Sequence, residues 1–233
     1  MTDTSKRVLV IVAHPDDAEF GCAATVAKWV KEGREVGYVV LTNGDKGSSD
    51  RGMTSERLVR IRIEEQRNAA RTLGVERVEF LGFPDGELEN TREVRRAVTA
   101  EIRRFRPDLV VAQNPQRTAN LYVSHRDHRT AGDAVLDCVY PLARDHLSFP
   151  ELLAQGLEPH KVHEVYLVGV ENPDVVVDIS DTIELKLKAL ACHTSQMRDF
   201  ARVEAWVRER AAKLGKPKGY AYAEAFHRIG IPS

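Results

Sequence analysis

The run Val8-Leu9-Val10-Ile11-Val12 constrains the fold of this chain more than any other stretch. An unbroken apolar segment rich in β-branched residues favours an extended strand, and the lack of polar alternation means that both faces are covered. Helix-like and strand-like periods alternate after it. Val8 to Ala13 reads as the first strand, and Ala23, Val26, Ala27 and Val30 then recur at helical spacing up to Gly33. Glu35 to Thr42 reads as a strand, Asn43 to Gly52 as a loop, and Thr54 or Ser55 as the cap of a helix ending at Leu73-Gly74. Arg77 to Leu81 reads as a third strand. Asn90 and Glu93 have capping-box spacing for a helix striped by Val94, Ala97, Val98, Ile102 and Phe105, which Pro107 ends before a strand at Leu109 to Ala112.

Beyond Pro141 the pattern predicts a short helix near Pro150 to Gln155 and strands over Val162 to Val170 and Val175 to Ile179. Helices follow from Asp181 and over Phe200 to Leu214, and Gly215 to Lys218 reads as a linker to a small C-terminal extension. The series predicts an α/β, Rossmann-like fold, with a mostly parallel sheet and helices on both faces. Residues 1–233 suit one domain. In the common strand order 3-2-1-4-5 the chain reverses direction between the first and fourth strands, and ligands bind in the crevice at that point.

Two clusters lie beyond those two strands: His14-Pro15-Asp16-Asp17, and His125-Arg126-Asp127-His128. They would face each other across the crevice. Pro15 suits the first helical position and places Asp17 in the first turn. His14 and Asp17, at i, i+3, can point at one metal ion while Asp16 projects differently, and His128 can supply a third ligand. Two imidazoles and a carboxylate leave a position for water; they suit zinc and also non-heme iron. Asp16 is then placed as a general base. His125 can polarise a carbonyl or stabilise an oxyanion, with Asp127 orienting its ring. The same residues have plainer uses, since Asp16 or Asp17 also suits a helix N-cap.

Arg62 and Glu65 fall on or beside the apolar face of the second helix, either paired with each other or with Arg62 on a substrate. Asp85 is a turn residue in Pro84-Asp85-Gly86 that could also meet substrate hydroxyls. His193 reads as a histidine at a helix C-terminus.

A formal net charge of −1 gives no global field for nucleic acid or an anionic membrane. No apolar run is long enough to span a membrane. Residues 1–7 hold no apolar stretch of the secretory kind, and Cys22, Cys138 and Cys192 are too scattered for a disulfide framework. A cytoplasmic location is the expectation.

These segments resemble the PIG-L/LmbE family of zinc-dependent N-acetylglucosaminyl de-N-acetylases. Ala13 to Cys22 looks like that family's first motif, and Thr42 to Ser48 like its loop after the second strand. Arg62-Ile63-Glu64-Glu65 is similar to its Arg-x-x-Glu helix, His125 to His128 to its His-x-Asp-His motif, and Ala191 to Gln196 to its Ala-His-x-Ser/Thr-Gln segment. The resemblance implies Zn2+ held by His14, Asp17 and His128, and the choice of Asp17 over Asp16 rests mainly on it. It implies Asp16 as base and then acid, His125 paired with Asp127 beside the oxyanion, and Arg62 and Asp85 as substrate contacts. The implied substrate is a small N-acetyl amino sugar or glycoconjugate, and a homo-oligomer, a hexamer in several members, is a family tendency. The loop at 114–124 is longer than in many members, and Val123 stands where some carry a tyrosine, with Tyr122 beside it.

Two other classes of function use similar residues. A metal-dependent phosphoesterase usually holds two ions about 4 Å apart, and the carboxylates here suffice for one. A non-catalytic sugar- or nucleotide-binding module is the third reading, although the turn after the first strand lacks Gly-x-Gly-x-x-Gly.

Overall fold

The computed structural model describes residues 6–232, so the reading of the first residues as leaderless falls largely outside it. Strands β1 (Arg7–Val12), β2 (Glu35–Thr42), β3 (Arg77–Phe83), β4 (Leu109–Gln113), β5 (Glu164–Val168), β6 (Val175–Asp178) and β7 (Ala223–Gly230) form one sheet in the order β3-β2-β1-β4-β5-β7-β6. The first five strands pair in parallel, and β7 runs antiparallel to both its neighbours. Helices α1 (Asp17–Lys31), α2 (Ser55–Leu73), α3 (Arg92–Phe105), α4 (Arg126–Asp137), α5 (Pro150–Leu153), α6 (Ile183–Leu190) and α7 (Phe200–Gly215) connect them.

The unbroken apolar run is buried on both sides. Val8, Val10 and Val12 pack with Val26 and Ala27 of α1 and with Ala69, Ala70 and Leu73 of α2. Leu9 and Ile11 turn to the other face, against Val94, Val98 and Ile102 of α3 and Ala131 and Val135 of α4. Alternation along one strand thus feeds two helical layers, as expected of a doubly covered parallel sheet.

Three local details differ from the sequence expectation. The cap of α3 is Thr91, whose Oγ1 accepts from the Val94 amide at 3.3 Å. Asn90 is engaged elsewhere, its Oδ1 accepting from Arg95 Nη1 at 3.0 Å and its Nδ2 donating to Asp133 and Asp137 of α4. Pro15 precedes the cap position of α1, and Asp17 opens the helix. Third, the C-terminal extension joins the sheet, with β7 lying between β5 and β6. Its Ala-Glu-Ala-Phe-His-Arg start hides the strand, because Glu224 is buried and pairs with Lys186 of α6 at 2.6 Å.

The ends of β1 and β4 are tied together, the Ala13 amide donating to Gln113 Oε1 at 2.9 Å. Helix α4 reaches this junction only because residue 132 is glycine; a Cβ there would lie 2.1 Å from the Gln113 carbonyl oxygen. Both clusters are thereby delivered to the switch point. Among the described residues no helix is long and apolar enough to cross a membrane.

Candidate active site

The turn from β1 into α1 is held from below by α2. Arg62 donates through Nη2 to the Pro15 carbonyl at 2.6 Å, and Gln66 Oε1 accepts from the Asp16 amide at 2.8 Å. Between these clamps Asp16 has φ 92°, a left-handed conformation that costs a non-glycine residue on the order of 1–3 kcal/mol. Its carboxylate makes no capping bond. Asp17 Oδ2 instead accepts from the His14 amide at 2.7 Å and closes the turn.

Helix α4 brings the second cluster onto this turn, although His14 and Asp127 are 113 positions apart. The carboxylate of Asp17 lies between two imidazoles, with Oδ2 3.2 Å from His14 Nδ1 and Oδ1 3.0 Å from His128 Nε2. The His14, His125 and His128 rings form a triangle with centroids 5.2 to 5.3 Å apart. Asp85, in the turn after β3, places Oδ1 3.1 Å from His14 Nε2.

The expected pairing of Asp127 with the His125 ring takes another form. Asp127 is fully buried, its Oδ2 accepting from the Gly86 amide at 2.6 Å and lying 3.2 Å from His14 Nε2. Its backbone amide, not its carboxylate, meets His125, donating to Nδ1 at 3.2 Å as His125 caps α4. An N-terminal helical turn explains this, since a cap side chain accepts from an amide two or three residues on. Nδ1 is an acceptor here, so a neutral His125 carries its proton on Nε2.

Arg62 and Glu65 do not pair with each other. Glu65 accepts from Thr194 Oγ1 at 2.8 Å and from the amide and hydroxyl of Ser195, both at 2.7 Å. Arg62 is 4 % exposed, its guanidinium reaching Pro15, Gly44, Asp16 and Asp85. That geometry organises the turn and leaves little of Arg62 for direct substrate contact.

The electrostatics follow from carboxylates and imidazoles packed out of water. Burial alone would lower His14, but Asp127, Asp17 and Asp85 lift it to about 12. Burial raises Asp17, and the adjacent His128 and His14 together more than offset this, holding it well below the usual carboxylate range. Burial pushes Asp16 up to about 6, with Arg62 opposing. Burial, with His14 and His128, keeps His125 below its ordinary value. Titratable groups shifted this far and gathered at one place mark a candidate functional site.

The residues fit a divalent metal. Among the described residues, two sets bring one ligand atom each within 4.8 Å: His14 with His125 and His128, and His14 with Asp85 and Asp127. Neither includes Asp17, yet Asp17 bridges the two rings whose remaining nitrogens are already anchored. His14 Nε2 meets Asp127 and Asp85, and His128 Nδ1 lies 3.1 Å from the Val123 carbonyl. Metal-binding histidines characteristically have their second nitrogen held in this way. His14 Nδ1, Asp17 and His128 Nε2 could therefore also hold an ion.

Sequence reasoning missed Gln66 and Glu19 and misread His193. Gln66 donates to both Glu19 oxygens at 3.0 Å, and His193 Nε2 lies 3.2 Å from Glu19 Oε2. All three are fully buried. His193 follows the end of α6 and faces inward to a carboxylate, so the helix dipole is not its main partner. One available signal was Gln66 at i+4 from Arg62, a polar residue on a face continued by Ala69 and Leu73.

Residues 9–139 match the family model described as PIG-L, GlcNAc-PI de-N-acetylase. The diacetylchitobiose deacetylase of Thermococcus kodakarensis is 36% identical over 226 residues, covering 96% of this chain and 83% of that protein. A probable N-acetyl-alpha-D-glucosaminyl L-malate deacetylase 2 of Bacillus anthracis is 27% identical over 196 residues, covering 82% of this chain and 81% of its own. The solved structure of N,N'-diacetylchitobiose deacetylase from Pyrococcus horikoshii, complexed with its inhibitor MPG, superposes with a TM-score of 0.91 at 34% identity. That match covers 97% of this chain and 85% of that one.

Proposed function

Because the chain belongs to the PIG-L family of de-N-acetylases, we propose that it removes the acetyl group from an N-acetylglucosamine-type small molecule or glycoconjugate, releasing acetate and a free amine. The observation that carries this reading is the convergence of His14 and His128 on the Asp17 carboxylate at a sheet switch point. His14, Asp17 and His128 would hold the ion, and two imidazoles with one carboxylate suit zinc. When bound, such an ion polarises the amide carbonyl and brings the pKa of water toward neutrality.

The protein's own groups do the rest. Asp16, with a carboxyl near pH 6 and no capping bond, takes the proton of the attacking water and passes it to the departing amine nitrogen. His125, neutral and protonated on Nε2, donates a hydrogen bond to the developing oxyanion. Asp127 and Asp85 accept from His14 Nε2 and hold that ring in its tautomer. Arg62, 3.4 Å from Asp16 and 3.8 Å from Asp85, favours the ionised form of both carboxylates, and Asp85 would accept from a sugar hydroxyl.

Amine release can be followed with fluorescamine over N-acetylglucosamine, N,N'-diacetylchitobiose and N-acetylglucosaminyl malate and inositol, with and without Zn2+. Metal-dependent release from at least one of them is expected. A chain that binds one ion and releases no amine from any would overturn the assignment. Two ions per chain with phosphoester cleavage would instead favour the phosphoesterase reading.

A further inference from the structure

Asp16 occupies the position where an aspartate normally caps a helix with its own carboxylate, accepting from an amide in the first turn. Here it does not. Its left-handed backbone turns the side chain off the α1 terminus, and Oδ2 lies 3.4 Å from Arg62 Nη2. The conformation is unfavourable for a residue with a Cβ, so something outside the turn must maintain it. The amide of Asp16 has one side-chain partner, Gln66 Oε1. Gln66 has no freedom to release it, because its amide nitrogen donates to both oxygens of Glu19, and Glu19 is backed by His193. Flipping the Gln66 amide would set its nitrogen against the Asp16 N–H and its oxygen against a carboxylate. Helices α1 and α2 and the segment after α6 thus each contribute one member to a buried chain that ends on the backbone of Asp16.

We propose that Gln66, locked by Glu19 and His193, is a positioning residue that holds Asp16 left-handed and so keeps its carboxylate free of the α1 terminus for proton transfer. This rests on the deacetylase reading for its kinetic consequence, but not for its structural one. It separates two duties that an aspartate at this place cannot perform together, capping and catalysis.

The test is a crystal structure and steady-state kinetics of Gln66→Met, which keeps the side-chain length and removes all three side-chain hydrogen bonds. In the structure Asp16 should return to negative φ and its carboxylate should accept from the amide of Ala18 or Glu19. In the assay kcat should fall about 10²-fold, as expected for a misplaced reacting group, with KM within about 3-fold and metal content unchanged. Should Gln66→Met not fold, the pair Glu19→Met and Glu19→Gln decides. The glutamine, which still offers an oxygen to Gln66, should recover most of the kcat that the methionine loses. A folded Gln66→Met chain with Asp16 still at positive φ overturns the proposal, as does equal kcat in the two Glu19 variants. If Asp16 relaxes but the wild type has no deacetylase activity, the positioning claim stands and the assigned reaction fails.

Discussion

The two halves of the site are built in opposite ways. The β1–α1 turn is gripped by buried side chains: Gln66 and Glu19 are fully buried, and Arg62 nearly so. The 114–124 loop that leads into α4 is tied mainly to itself. Asn120 Oδ1 accepts from the Tyr122 and Val123 amides, Ser124 bonds back to Thr118 and Asn120, and the tip leaves Leu121 62 % and Tyr122 91 % exposed. Among the described residues, the Val123 carbonyl, facing His128, hydrogen-bonds the loop to the histidine triangle. A reacting group must be held to a fraction of an ångström, whereas a surface that recognises variable substituents gains from adaptability. On the proposed function, the turn would carry the chemistry and the exposed loop the choice of substrate.

That division can be broken by experiment, starting with the largest effect. Removing the metal with a chelator, or making His128→Ala, should reduce amine release to background, with activity returning on metal addition only for the intact chain; wild-type turnover after complete demetallation would contradict it. Asp16→Ala should retain one ion per chain and lose about 10²–10⁴-fold in kcat, read by elemental analysis beside kinetics. Asp127→Asn should weaken metal affinity by about 10–100-fold, measurable by competition with a chromophoric chelator. If its effect fell on kcat alone, with metal affinity intact, the carboxylate would be serving His125 after all. Tyr122→Ala should act least, changing KM by less than about 10-fold with kcat preserved, and unequally across the sugar panel. A collapse of kcat in that variant would place the loop in the chemistry and erase the contrast.

Much of this was legible from the chain alone. Unbroken apolar strands followed by His-Pro-Asp-Asp and His-Arg-Asp-His specify a parallel sheet with two polar clusters at its carboxyl edge, because strand burial and motif placement are local properties. Partners chosen across the fold were not. Asp127 lies two residues from His125 in sequence, yet its carboxylate meets His14 and Gly86. The left-handed backbone of Asp16 depends on Gln66, far along the chain, and cannot be read from a Pro-Asp-Asp triplet. Strand β7 was obscured for a related reason: a buried Glu224 looks like a surface residue until Lys186 is seen against it.

The question beneath all of these is where a single cation sits. A crystal structure of the Zn2+-loaded chain, with anomalous data collected at the zinc edge, answers it directly. One peak per chain is expected, within about 2.0–2.2 Å of His14 Nδ1, an Asp17 oxygen and His128 Nε2. A peak on the opposite side of the His14 ring, held through Nε2 with Asp85 and Asp127, would contradict the assignment, as would zinc bound away from both histidine clusters.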